Sequence, residues 1–188
     1  MAEHVILFAG PMGAGKTTAI QTLSETEVVL TEAANTERDV VDKATTTVAL
    51  DYGEIMVSDE EKVRLYGVPG QRRFDFMWEI LKERAVGMIL LVNNDAPDPI
   101  ALALEFLEEF SELNTRGGVV MGISRSDVAG GPSVDDYSAA VHAVYPDLVV
   151  PVFTVDTRNS SQMRLALMTL IMNIEARSAF TLNGSTAA

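Results

Sequence analysis

The stretch Gly10-Pro-Met-Gly-Ala-Gly15-Lys16-Thr17 has the most specific chemistry in this sequence. It fits the pattern Gly-x4-Gly-Lys-[Ser/Thr], a tight loop whose backbone N–H groups point inward and wrap a phosphate. Gly10, Pro11, Met12, Gly13, Ala14 and Gly15 form the cradle, and the glycines supply the backbone angles and the close approach. Lys16 reaches the β- and γ-phosphates as a point charge, and Thr17 offers its hydroxyl to Mg2+. Thr18 completes the phosphate-binding set in the first turn of a helix whose N-terminal dipole faces the anion.

The elements that must hold this loop can be read around it. Val5–Ala9 is a short apolar run, a buried strand feeding the loop, and Lys16 to about Glu25 is the helix leaving it. Residues 26–43 are polar and read as a mobile connection. Thr45–Val57 and Lys62–Val68 are β-rich and flank the turn Ser58-Asp-Glu-Glu61, which predicts a hairpin. Helices are expected at Phe74–Arg84, from Pro99 through Leu113, from Ser133 to about Tyr145, and from Ser160 or Ser161 to about Phe180. Further strands are expected at Val86–Val92, Gly118–Ile123 and Val149–Val155. Apolar strands separated by helical periods predict a mostly parallel sheet covered on both faces. Met163, Met168 and Met172 of the last helix read as core packing. Trp78, with Phe74 and Met77, is either core or an exposed patch for a partner. Asn93-Asn-Asp95 ends a strand at the C-terminal edge of the sheet, where open α/β sheets bind ligands, but reads rather as the start of a loop before Pro97 and Pro99; His4 and His142 match no metal spacing.

Three further segments follow in order. Thr47-Val-Ala-Leu-Asp51-Tyr52 lies on the entering strand of the hairpin, and Val68-Pro-Gly70-Gln71-Arg-Arg-Phe74 follows the returning strand. Ser124-Arg125-Ser126-Asp127 follows the strand ending at Ile123. With the phosphate loop, these resemble the Ras-like small GTPases, and most of all the bacterial MglA-type GTPases, which carry Pro-Gly-Gln in the second switch. The resemblance runs from Val5 to the last helix. It implies a three-layer α/β P-loop NTPase, a six-stranded mostly parallel sheet with one antiparallel strand flanked by about five helices. It also implies a single GTP-binding domain over residues 1–180 with a flexible tail at 181–188.

The resemblance assigns roles residue by residue. Thr47, with Thr46 as fallback, joins Thr17 on Mg2+ when the γ-phosphate is present. Gly70 gives a backbone N–H to the γ-phosphate, and Gln71 orients the attacking water, so that Gln71, Gly70 and Lys16 form the catalytic set. Asp127 accepts hydrogen bonds from guanine N1–H and the 2-amino group, which adenine cannot donate. Ser124 and Arg125 stand in for the Asn and Lys of Asn-Lys-x-Asp, with Arg125 stacking on the purine. Asp156-Thr157-Arg158 corresponds to the Ser-Ala-Lys-type loop, where a backbone N–H, that of Thr157, meets guanine O6.

Two departures bear on rate. Gly67 stands where Ras-like proteins have an aspartate that holds a Mg2+-bound water; MglA-type proteins also lack it, and Asp51 on the adjacent strand is the candidate replacement. Met12 stands where glycine is usual, obstructing the glutamine and an incoming arginine finger unless it packs under a differently placed switch. Both imply slow unaided hydrolysis, with a partner moving Gln71 and supplying or positioning an arginine. The resemblance implies a roadblock/LC7-domain partner, and Arg72 and Arg73 are candidates to act in cis. The expected function is therefore a bacterial-type GTP/GDP switch hydrolysing GTP to GDP and phosphate, with an unknown effector, as a monomer or a heterocomplex with its partner. A P-loop kinase for a small molecule is the alternative, against which stand only 14 basic residues and no evident arginine-rich lid. A non-hydrolysing nucleotide-binding module is a third reading, motivated by Met12 and Gly67.

Composition sets the outer bounds. A length of 188 residues favours one domain, and 47% hydrophobic residues suffice for a core. The absence of cysteine excludes disulfides and thiolate metal sites. A net charge of −13 disfavours duplex nucleic acid and anionic membranes as partners. No run approaches the roughly 20 apolar residues of a membrane span, and the sequence shows no signal peptide, myristoylation glycine or C-terminal cysteine. A soluble, unanchored, cytoplasmic protein is expected.

Overall fold

A computed structural model describes residues 2–30, 50–69, 75–127 and 130–184. The elements in chain order are β1 (Ala2–Ala9), α1 (Lys16–Leu23), β2 (Val29–Leu30), β3 (Asp51–Met56), β4 (Glu61–Gly67), α2 (Asp75–Arg84) and β5 (Gly87–Asn93). They continue with α3 (Pro99–Glu109), α4 (Ser111–Arg116), β6 (Val119–Ser124), α5 (Val134–Val144), β7 (Val152–Thr154) and α6 (Ser160–Gly184). The sheet order is β2-β3-β4-β1-β5-β6-β7. β3 runs antiparallel to both of its neighbours, and β4, β1, β5, β6 and β7 are mutually parallel. The two-residue β2 adds a seventh, marginal strand to the six expected, near the start of the connection read as mobile. Residues 31–49, which include the first five residues of the expected strand Thr45–Val57, lie outside the described set.

The three layers follow from side-chain alternation. Leu7 and Ala9 of β1 join a core with Trp78 of α2, Phe106 and Leu107 of α3 and Tyr137 of α5. Ile6 and Phe8 point the other way, into a second core with Ile20 and Leu23 of α1 and Met163, Leu167 and Leu170 of α6. β6 is buried at every position and β5 at all but its last, as strands covered on both faces must be. The helix starts read from the sequence are built with their capping chemistry. Asp98 Oδ1 accepts the N–H of Ala101 with Pro99 in the first turn, and Ser133 and Asp136 cap each other reciprocally.

Several boundaries move for identifiable reasons. β1 begins earlier than expected because residues 2–4 pair with β4 from Glu61 to Val63, and the Glu3 carboxylate meets Lys62 at 3.2 Å and Arg64 at 2.9 Å there. The helix expected from Pro99 through Leu113 is broken at Phe110, whose φ of −103° and ψ of 27° end α3 and open α4. The break brings the buried Phe110 ring to 5.4 Å from that of Trp78. The last helix runs four residues past the end expected near Phe180, since α6 meets no glycine or proline before Gly184. Of the methionine stripe, only Met163 is core; Met168 and Met172 are exposed on the outer face of α6. Among the described residues, no helix is long and apolar enough to cross a membrane.

Trp78 resolves to core. It is buried, its ring lies 5.9 Å from that of Phe106, and its Nε1–H donates to the Pro69 carbonyl at 3.1 Å. Trp78→Ala is expected to cost about 3–5 kcal/mol in urea denaturation, because the surrounding rings cannot collapse into the void. Trp78→Phe keeps the packing and loses the hydrogen bond, and should cost about 1 kcal/mol.

Candidate functional site

The phosphate loop lies at the C-terminal edge of the sheet, where β1 leads to α1 on one face and neighbouring β5 leads to α3 on the other. That divergence is where open α/β sheets bind ligands. Gly10, Gly13 and Gly15 have φ of 133°, 81° and 97°, a sequence of angles that side-chain-bearing residues rarely adopt. The N–H of Ala14 donates to Pro11 O at 3.3 Å and closes the turn. Among the described residues, no protein acceptor meets the N–H groups of Gly13, Gly15, Lys16 or Thr17. The first turn of α1 carries no acidic residue, so these donors and the helix dipole face an anion unopposed.

Lys16 lies across the loop, its ammonium donating to Gly10 O at 2.7 Å and Pro11 O at 2.8 Å. Burial strips its hydration and lowers its pKa to about 8, and the Asp51 carboxylate offsets only part of that fall. The Thr17 hydroxyl donates to Asp51 Oδ2 at 2.5 Å. Asp51 is the register partner of Gly67 across the β3–β4 ladder. A β-carbon at 67 would stand 3.0 Å from Asp51 Cβ and 3.1 Å from its Oδ2. Glycine at 67 therefore makes the room that the Asp51 carboxylate fills. A threonine hydroxyl beside a carboxylate is a hard oxygen pair of the kind Mg2+ takes together with substrate phosphates, so the residues present fit that ion. Among the described residues, no group of three or more His, Cys, Asp or Glu offers a different metal site.

The remaining predicted residues converge on the same edge. Gly13, Ala14, Gly15, Thr18, Ser124, Arg125, Ser126, Asp127, Asp156, Thr157 and Arg158 share one cavity of about 620 Å3. Gly10, Pro11, Met12, Lys16 and Thr17 lie just outside its lining, and Met12 is 73% exposed rather than packed under another segment among the described residues. Thr47, Thr46, Gly70, Gln71, Arg72 and Arg73 fall outside the described residues. Ser124 does the work of a tie. Its buried hydroxyl donates to Ala14 O at 3.0 Å and fastens β6 to the phosphate loop. Arg125 donates to Gly13 O at 3.2 Å. Thr157 is buried against Gly15, where a β-carbon would come within 2.7 Å of the threonine hydroxyl. Arg158 turns back onto Asp156 with two hydrogen bonds of 2.9 Å, which hold the Asp156 carboxyl below the usual carboxylate range.

Residues that the motifs do not single out complete the site. Gln162 Oε1 accepts the N–H of Asp156 at 2.6 Å and buttresses the 156–158 turn from the first turn of α6. Asp95, read from sequence as part of a loop start at the ligand-binding edge of the sheet and given no partner there, accepts from Arg125 at 2.8 Å. No local signal marks either one. Gln162 is an ordinary helix residue, and Asp95 meets a partner 30 positions away.

Comparison with known proteins agrees with this geometry at the level of fold. A family model described as "Conserved hypothetical ATP binding protein" matches residues 26–174, a span that begins after the phosphate loop. No curated protein matches the sequence. Among solved structures, the chain is similar to the Arl6 BBS3 small GTPase from Trypanosoma brucei with bound nucleotide analogue GppNp. The TM-score is 0.68 at 13% identity, covering 93% of this chain and 99% of that one. The fold is thus that of a small GTPase.

The lowered pKa of Lys16 makes nucleotide affinity depend on pH with a defined sign. A bound phosphate favours the charged ammonium, so binding above pH 8 must take up a proton that free Lys16 has lost. Affinity for a nucleoside diphosphate is expected to be level from pH 7 to 8 and then to weaken towards about tenfold per pH unit. Calorimetry at pH 9 in two buffers of different ionisation enthalpy should show that proton uptake, and Lys16→Met should abolish it.

Proposed function

We propose that this chain, which belongs to the family of conserved hypothetical ATP binding proteins, is a bacterial-type small GTPase that switches between GTP and GDP. The observation that carries the reading is the single cavity shared by the phosphate loop, the 124–127 segment and the 156–158 turn. One ligand with a phosphate end and a purine end satisfies all three. Asp127, exposed at the mouth of that cavity, offers two carboxylate acceptors, which suit the adjacent N1–H and 2-amino donors of guanine. Adenine presents an acceptor at N1 and has no 2-amino group. The N–H of Thr157 is the donor for guanine O6; among the described residues it has no protein acceptor.

On this reading Thr17, Asp51 and the switch residue Thr47 hold Mg2+, which neutralises charge on the β- and γ-phosphates. Asp51 takes the place of the aspartate absent at Gly67. Gly70 and Gln71 follow Pro69, whose carbonyl is pinned to the core by Trp78. The second switch therefore departs from a fixed point, and its γ-phosphate contact and water-positioning glutamine lie just beyond it. The exposed Met12 side chain stands at the γ-phosphate end of the loop, so unaided turnover is slow. A roadblock/LC7-domain partner moves Gln71 and supplies or positions an arginine, with Arg72 and Arg73 as the candidates in cis. An unidentified effector reads the ordered switches, in the cytoplasm.

The family description names ATP, and the choice of base is the first thing to measure. Mass spectrometry of the nucleotide retained through purification is expected to find GDP or GTP; ATP or ADP would overturn the role given to Asp127. Asp127→Ala should weaken GDP binding by about two orders of magnitude, because it removes charge-assisted hydrogen bonds worth about 1.5–3 kcal/mol each. For the chemistry, GTP turnover of wild type and Gln71→Ala is measured with and without a roadblock-domain protein. Stimulation confined to wild type is expected, and equal rates in all four cases would sink the switch mechanism. A phosphorylated small molecule as product would point to a kinase instead.

A further inference from the structure

Arg125 is held from two sides. It is the only non-glycine residue with positive φ among those described, at 57°, so its backbone is in the sparsely populated left-handed region. Its Nη2 donates to Gly13 O at 3.2 Å, and its Nη1 donates to Asp95 Oδ2 at 2.8 Å. Asp95 is itself oriented, since Asn93 Nδ2 donates to its Oδ1 at 3.1 Å. The residue between them anchors the whole turn. Asn94 is buried, accepts the Tyr137 hydroxyl at 2.9 Å, donates through Nδ2 to Pro132 O at 3.2 Å, and donates its N–H to Ser124 O at 2.9 Å. Three consecutive side chains of the β5–α3 loop thus form a rigid mount with Asp95 at its tip.

We propose that Asp95 is a positioning residue for the purine. By occupying one edge of the Arg125 guanidinium it fixes the plane of that group as a wall of the base end of the cavity. This rests on reading residues 124–127 as the purine site. A guanidinium can give one N–H to Asp95 and another to Gly13 O while keeping its flat face free; an ammonium has no such face. The side chains of Arg125 and Asp95 are 50% and 28% exposed. Ion pairs this open to solvent contribute little to folding stability. What the pair supplies is orientation, and a preorganised contact shows itself in ligand dissociation. Hydrogen bonds from Arg125 and Asn93 hold the Asp95 carboxyl below the usual carboxylate range.

The test compares full-length wild type, Asp95→Asn, Arg125→Ala and the double variant by competition binding of GDP, ADP and inorganic triphosphate. Asp95→Asn is expected to weaken the preferred nucleoside diphosphate by roughly 3- to 10-fold, through faster dissociation, while triphosphate affinity changes less than about twofold. In the Arg125→Ala background, Asp95→Asn should add nothing, as expected for two residues acting through one contact. Melting temperatures should match wild type. Equal loss of triphosphate binding, additive effects of the two substitutions, or no effect of Asp95→Asn on either nucleotide would each overturn the proposal. A preference for ADP would overturn the guanine reading alone, and the Asp95 effect would then be read on ADP.

Discussion

A β-carbon on Gly10 would stand 1.9 Å from the carbonyl oxygen of Leu91. The phosphate loop is pressed against the backbone of β5 with no space between them, and only glycine permits that approach. At its other end the loop meets Thr157 through Gly15 with the same closeness. Between these points Ser124 is bonded to Ala14 O and Arg125 to Gly13 O. The ends of β5, β6 and β7 therefore each deliver a contact to one short loop. The residues that would read a base and those that would hold phosphates are built as a single rigid piece, which spares a ligand the entropy of assembling them.

An acidic chain that binds an acidic ligand must concentrate its positive potential. The net charge is −13, yet the first turn of α1 carries no acid, and among the described residues Lys16 lies in the loop while Arg125 and Arg158 line the cavity. Lys16 is the costly member of that set, because its ammonium is desolvated among carbonyl oxygens. An incoming phosphate replaces those neutral acceptors with charged ones, so the burial that penalises free Lys16 strengthens its interaction with the ligand.

The phosphate loop was legible in the sequence because its chemistry is local: glycines, lysine and threonine act within a single turn. The parallel sheet was legible for the same reason, as apolar runs alternating with helical periods. Asp127, Ser124 and Thr157 are matched through the family's base-recognition motifs, and all three lie at the C-terminal ends of β6 and β7 or in the loops that follow. What could not be read is whatever depends on pairing across the chain. Asp95 matters through Arg125, 30 residues on, and Asn94 through Tyr137, 43 residues on. Neither spacing carries a signal. Trp78 was ambiguous because the apolar face of a short amphipathic helix looks the same in sequence whether it meets Phe106 and Phe110 or a partner. The outward turn of Met168 and Met172 is invisible without knowing which face of α6 the sheet occupies.

On the proposed reading, register across the β3–β4 ladder turns an apparent loss at position 67 into a relocation to position 51. Read along the chain, Gly67 is a missing carboxylate. Read across the β3–β4 ladder, it faces Asp51, whose Oδ2 reaches the Thr17 hydroxyl. The two positions cannot both carry an acid: a side chain at 67 would collide with Asp51, and two carboxylates so close would force one of them to stay protonated. A single carboxylate at this spot is what the geometry allows, and the hairpin can deliver it from either strand. Delivered from β3, it sits on the strand entered from the first switch segment rather than on the one that leads into the second. The segment proposed as the second switch then follows Val68 and Pro69, held respectively by the carbonyl of Phe8 and the indole of Trp78.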